Sequence, residues 1–207
     1  MPHGIPSGGG QYPVLGRPPG DGGGGPVTTH LNTPLGDEVL DLNAGDRVTL
    51  SGMVYTARDE AHLRMQEEGF PFDPKGAVIY HCGPVISGET VVAAGPTTSA
   101  RMNALTGFLL DAGVRALIGK GGMNADVAGL LRGRAVYLAF TGGCAALAAS
   151  RMNVRGVWFE DLGMPEAVWA LELDHLPLTV GMDAHGHDLF GDVTERAQAE
   201  FVRMFPK

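Results

Sequence analysis

The chain has 207 residues, of which 44% are hydrophobic and 18% charged, with a formal net charge of −8. That is enough chain for one good core and too apolar for a disordered protein. The negative charge and the lack of any Lys/Arg block argue against nucleic-acid binding through a basic face. No apolar run approaches the roughly 20 residues of a membrane span, and no charged-then-apolar leader opens the chain. The cytoplasm is therefore the expected location, with no membrane partner.

In chain order, residues 1–26 form a separate compositional zone with Gly8-Gly9-Gly10, Pro18-Pro19 and Gly22 to Gly25. Such a segment buries too little apolar surface to offset its ordering entropy, so it reads as a flexible tail. A phosphate-binding loop would need a Lys-Ser/Thr pair and a flanking strand and helix. The folded domain is expected over 27–207. Gly45-Asp46 reads as a turn before a strand over 47–55. Thr56 is placed to cap a helix over 57–68 that ends at Gly69. The run 76–82 reads as a buried strand, and 91–94 as a shorter one.

Met102, Leu105, Leu109 and Ala112 recur at helical spacing, so 99–112 reads as one helix with Gly113 just past its end. Strands follow at 114–118 and 135–140, with a helix over 124–131 between them. A small helix is expected over 144–150, strand structure at 157–159 and within 170–180, and an amphipathic helix over 193–205. Alternating apolar strands and helices argue for an α/β fold, with a mixed sheet and flanking helices.

Three cationic clusters carry the chemistry. In Gly95-Pro96-Thr97-Thr98-Ser99-Ala100-Arg101, Thr97 and Arg101 are four apart at an expected helix start, where amides and a guanidinium fork can hold a carboxylate. The plainer reading is a threonine cap and a solvated arginine. Gly119-Lys120-Gly121-Gly122 follows an expected strand, where ligands of α/β sheets bind; it could also be a simple turn. Arg58 and His62 are four apart after another strand, with Asp59 able to orient either and His62 expected to titrate near neutrality. A surface i,i+4 pair is the alternative. His81, next to Cys82, reads as a core or supporting residue.

In Asp183-Ala184-His185-Gly186-His187-Asp188 a turn is favoured over a metal site, and no metal ligand is assigned. Cys82 and Cys144 read as free thiols. Two cysteines cannot supply the three or four thiolates an iron–sulfur cluster usually needs. The cations suit a small dianion, yet no strong base or electrophile is evident among these residues.

These motifs resemble the β subunit, or C-terminal domain, of the iron–sulfur hydro-lyases, the group of L(+)-tartrate dehydratase and class I fumarate hydratase. The matching strings are Thr33-Pro34-Leu35, Gly45-Asp46-Arg47-Val48 through Ser51-Gly52, Arg58-Asp59-Glu60-Ala61-His62 and His81-Cys82-Gly83-Pro84. They continue through Gly95-Pro96-Thr97-Thr98-Ser99, Arg101-Met102, Gly119-Lys120-Gly121-Gly122-Met123 and Gly142-Gly143-Cys144-Ala145-Ala146. Leu162-Gly163-Met164-Pro165-Glu166-Ala167 and Asp183-x-His185-Gly186 complete the set.

The resemblance implies a swivelling β/β/α domain and reversible hydration or dehydration of a C4 dicarboxylate. It places a [4Fe–4S] cluster on a cysteine-bearing α subunit, in a heterodimer or heterotetramer without which this chain is inactive. The open iron of that cluster acts as a Lewis acid. It makes Arg58, Arg101 and Lys120 substrate-binding residues, Thr97 the base, and His62 an active-site residue of less defined role. A non-catalytic carboxylate- or phosphate-binding module with the same fold is the alternative, and a metal enzyme using His185 and His187 a third.

Overall fold

The protein is described by a computed structural model over residues 28–205; the expected tail at 1–26 lies outside the described residues. The first half contains strands β1 (Thr29–Asn32), β2 (Arg47–Thr56), β3 (Val78–Tyr80), β4 (Val85–Ser87) and β5 (Thr90–Ala93), with helix α1 (Asp59–Glu68) after β2. The second half runs α2 (Gly107–Asp111), β6 (Ala116–Gly119), α3 (Ala125–Leu131), β7 (Val136–Ala139), α4 (Ala145–Ala149), β8 (Met152–Trp158), β9 (Val168–Met182) and α5 (Leu189–Met204). Among the described residues, no helix is long and apolar enough to cross a membrane.

β2, β3, β6 and β7 lie side by side and parallel. β9 pairs antiparallel with both β7 and β2, so the mixed sheet closes on itself as a ring of five strands. β1 and β8 extend it outside the ring, beside β2 and β9. The central strands β3, β6 and β7 carry no charged residue and are buried almost throughout because both their faces are covered, whereas β2 alternates buried and partly exposed positions. Val78, Tyr80, Ala116, Ile118, Val136 and Leu138 share one core with Leu50, Val54, Leu171 and Val180. The alternate residues Ile79, Leu117 and Tyr137 pack instead with Met65 of α1, Leu109 of α2 and Val127 and Leu131 of α3.

The α/β expectation with a mixed sheet and flanking helices is met. Three local expectations are not. The segment 99–112 is a 3-10 helix over Ser99–Leu105 followed by the short α2. There the Thr106 hydroxyl donates to the Met102 carbonyl at 3.0 Å, a back-bond that disturbs a helix, and Gly107 follows. Thr56 does not cap α1; it ends β2, where its hydroxyl accepts from the Trp169 amide at 2.9 Å, and Arg58 occupies the N-cap position. The run 91–94 does form a strand, β5, but not a buried one: it pairs only with β4 in a hairpin outside the main sheet, and Val92 is half exposed.

Candidate active site

Because β2, β3, β6 and β7 are parallel, their carboxyl ends open on one edge of the ring. Arg58 follows β2, His81 follows β3, Lys120 follows β6 and Thr141-Gly142 follow β7. This is the edge at which α/β sheets bind ligands. The segment through Thr97 is stitched across it. The Thr97 amide donates to the His81 carbonyl at 2.7 Å, the Lys120 amide to the Thr97 carbonyl at 3.2 Å and the Ser99 amide to the Lys120 carbonyl at 3.2 Å. Thr97 thus precedes the 3-10 helix and shares no helical face with Arg101. The seven residues of that helix lack a side-chain cap, so the expected anion cradle at a long helix start is not present. Ordinary β-bridge stitching holds Thr97 instead.

Two of the expected cations meet carboxylates of their own chain. Arg101 Nη2 donates to Asp59 Oδ2 at 2.6 Å, so Asp59 orients Arg101 and not Arg58 or His62. Arg58 Nε lies 3.2 Å from Glu166 Oε1 without the alignment of a hydrogen bond, and both side chains are largely covered. Arg58 runs over the backbone at Gly83, where a Cβ would stand 2.9 Å from its Nη1 and 2.7 Å from the Pro165 carbonyl. Gly83 is bare because the arginine needs the space. Lys120 is exposed and makes no ion pair among the described residues. It lines a cleft of about 280 Å³ with Gly121, Thr141, Gly142, Thr179 and Phe190.

Beneath this edge lies a buried polar layer. His62 and His81 are fully buried, with ring centroids 5.5 Å apart. His62 Nδ1 is 2.7 Å from the Arg58 carbonyl, which can only accept, so that nitrogen carries the proton. His81 Nδ1 is 2.8 Å from Ser99 Oγ, and the Tyr137 hydroxyl reaches both Ser99 Oγ at 3.1 Å and the Gly121 carbonyl at 2.7 Å. Burial pushes His62 down to about 4, against the opposing pull of the Arg58 carbonyl and the Asp59 carboxylate. Burial also drives His81 well below its ordinary value. The expectation that His62 titrates near neutrality is therefore not met: desolvation outweighs its partners. Gly119 faces Ser99, and a Cβ there would fall 1.7 Å from Ser99 Oγ.

Asp183 is a turn anchor, as the turn reading expected. Its Oδ1 accepts from the amides of His185, Gly186 and His187, each at 2.9 Å, and its Oδ2 from the Ala44 amide at 3.0 Å and from His187 Nδ1 at 2.8 Å. Burial alone would raise this carboxyl, but the donors outweigh it and hold it near 2. Cys82 and Cys144 are free. Burial lifts the Cys82 thiol to about 12, so it stays protonated and is a poor metal ligand. Among the described residues no group of three or more His, Cys, Asp or Glu could hold a metal ion. The cysteine set does not fit an iron–sulfur cluster.

Glu166, Ser99 and Tyr137 escaped the sequence reading as site residues. Glu166 and Ser99 stood inside recognisable motif strings, but nothing local tied them to Arg58 or His81. Tyr137 sat in an apolar strand and read as core.

Residues 24–193 match the Fumarase C-terminus family, and the chain belongs to that family. It is 43% identical over 173 residues to the "Putative L(+)-tartrate dehydratase subunit beta" of Methanocaldococcus jannaschii, covering 77% of this chain and 89% of that protein. It is 35% identical over 173 residues to the L(+)-tartrate dehydratase subunit beta of Escherichia coli K12, covering 78% and 86%. It is 37% identical over 184 residues to a "Putative fumarate hydratase class I" of Geobacillus stearothermophilus, covering 84% of this chain but 36% of that longer protein.

Proposed function

We propose that this chain is the β subunit of a heteromeric hydro-lyase that adds water to, or removes it from, a C4 dicarboxylate: L-tartrate to oxaloacetate, or fumarate to malate and back. The observation that carries the reading is the convergence of Arg58, Thr97 and Lys120 on one carboxyl edge, with Arg101 tied to the same edge through Asp59. In this reading the ring with its flanking helices is the swivelling β/β/α domain.

A dicarboxylate offers two anions to be gripped. Arg101 has donors left beyond the one engaged by Asp59, and Arg58 keeps its terminal nitrogens beyond the Glu166 contact. Asp59 and Glu166 hold the two forks in place before substrate arrives, which lowers the ordering cost of binding. Lys120, exposed between Gly119 and Gly121, supplies a third charge. The Thr97 hydroxyl, on the segment stitched between the His81 and Lys120 loops, is assigned as the proton acceptor. A threonine hydroxyl is a weak base, so an acidic group of the partner subunit must complete the relay.

The resemblance to the iron–sulfur hydro-lyases assigns a [4Fe–4S] cluster to a cysteine-bearing α partner, in a heterodimer or heterotetramer, and the two thiols of this chain do not themselves fit one. His62, fully buried, serves by holding the Arg58 carbonyl from below. The test is anaerobic co-expression with the candidate α partner, followed by assay of water loss from L-tartrate and L-malate. Turnover by the complex and none by either subunit alone is expected. Failure to form a complex, with no turnover of either acid, would overturn the reading and favour a carboxylate- or phosphate-binding module.

A further inference from the structure

Four separate loops of the edge converge on the buried layer under it. His62 holds the Arg58 carbonyl. His81 accepts the Thr97 amide on its backbone and meets Ser99 through its ring. Tyr137 meets Ser99 and the carbonyl of Gly121, next to Lys120. The unengaged nitrogen of each histidine, Nε2, is buried and without a partner. One proton assignment makes this layer complementary. The Tyr137 proton goes to the Gly121 carbonyl, which only accepts, and is kept there because burial lifts this phenol to about 12. The Ser99 proton then goes to the Tyr137 oxygen, a contact that would otherwise have none, so Ser99 Oγ accepts from His81 Nδ1–H and the Nε2 of His81 carries a lone pair. His62, protonated on Nδ1, has a lone pair on its own Nε2. Each of the three contacts from His81 to Gly121 then has one proton, while no hydrogen bond joins the two Nε2 atoms, whose rings meet by packing alone.

We propose that His81 is a positioning residue of this site: held as the Nδ1–H tautomer on Ser99 and packed against the ring of His62, it locks the Arg58, Thr97 and Lys120 loops into one unit. No atom of His81 is exposed to touch substrate; it acts through the loops it joins. The steric demand at Gly119, which clears the Ser99 hydroxyl, belongs to the same arrangement. The activity part of this inference rests on the hydro-lyase reading, but its structural part does not.

Nitrogen-15 NMR of the full chain should find both His62 and His81 protonated on Nδ1; a proton on Nε2 of His81 would overturn the assignment. His81→Phe keeps a ring but loses both nitrogens. Amide exchange at Thr97, Ser99 and Lys120 should then accelerate at least about tenfold while Leu117 and Leu138 stay protected, as expected of a local opening. Unchanged exchange would overturn the positioning role, and it does so whether or not the chain is an enzyme. In the active complex, His81→Phe should lower kcat by about 100-fold, the scale of a misplaced catalytic geometry. His81→Asn, which can still bond Ser99, should recover most of that loss. Should the variant fail to fold, the same exchange measurement on Ser99→Ala decides the matter. A wild-type complex inactive on both acids would defeat the hydro-lyase reading and leave the exchange result standing.

Discussion

At the scale of single residues, the arginines of the edge are prearranged by their own chain. The Arg101–Asp59 pair is half exposed, so its stabilising effect on the fold is small. Its value is orientation. Arg101→Ala should lower kcat/KM of the complex roughly 10- to 150-fold, the worth of one charge-assisted hydrogen bond, with an unchanged melting temperature. Thr97→Val should instead lower kcat and leave KM nearly unaltered, because a hydroxyl that moves a proton is not a binding anchor. Steady-state kinetics on both variants separate the roles. If Thr97→Val leaves kcat unchanged, the hydroxyl is not the proton acceptor. The sequence marked Arg58, Thr97, Arg101 and Lys120 as a set through charge, hydroxyls and neighbouring glycines. It misjudged His62, since ionisation at that position is governed by burial under Phe108 and His81, and neither packing contact is local.

At the scale of elements, the residue pattern located the helices and most strands but neither β1 nor β4 and only the end of β8, and its failures are instructive. Met102 and Leu109 turn inward from a 3-10 helix and a short α-helix as well as they would from one continuous helix. Apolar spacing cannot tell these apart, whereas the Thr106 back-bond does. The end of β6 is tighter than its sequence suggests. Gly119→Ala would place a methyl on the Ser99 hydroxyl and beside the Tyr137 hydroxyl. The expected cost is about 1–3 kcal/mol of overpacking, seen as a lower urea midpoint with an unchanged slope. Activity of the complex should fall further than stability does, because the displaced group is Ser99. A variant with wild-type midpoint and kinetics would show that the layer relaxes freely.

At the scale of the whole molecule, closure of the ring brings together residues distant in the chain. Asp183 binds the turn after β9 to Ala44, which leads into β2. Its carboxyl is held down near 2 in the folded protein, below the ordinary value of 3.8. Such a group contributes stability that is fully present above the unfolded value and is lost as pH falls through the folded one. Wild type should therefore lose on the order of 2 kcal/mol through this group between pH 4 and pH 2. Asp183→Asn should be less stable at neutral pH and flatter across that window. Denaturant titrations of both proteins at several pH values check this, and parallel curves would remove Asp183 from the account.

What the sequence determined by itself is whatever short-range chemistry encodes: the apolar strands, the helical spacing, the turn glycines, the cationic motifs and the family they mark. Tertiary structure alone decided that β9 closes the sheet, that Asp59 holds Arg101 across 42 residues, and that two histidines are sealed beneath the edge. The reason is physical. Strand order and side-chain pairing across such separations depend on register and on shared burial, and both are properties of the packed whole that no local pattern of residues records.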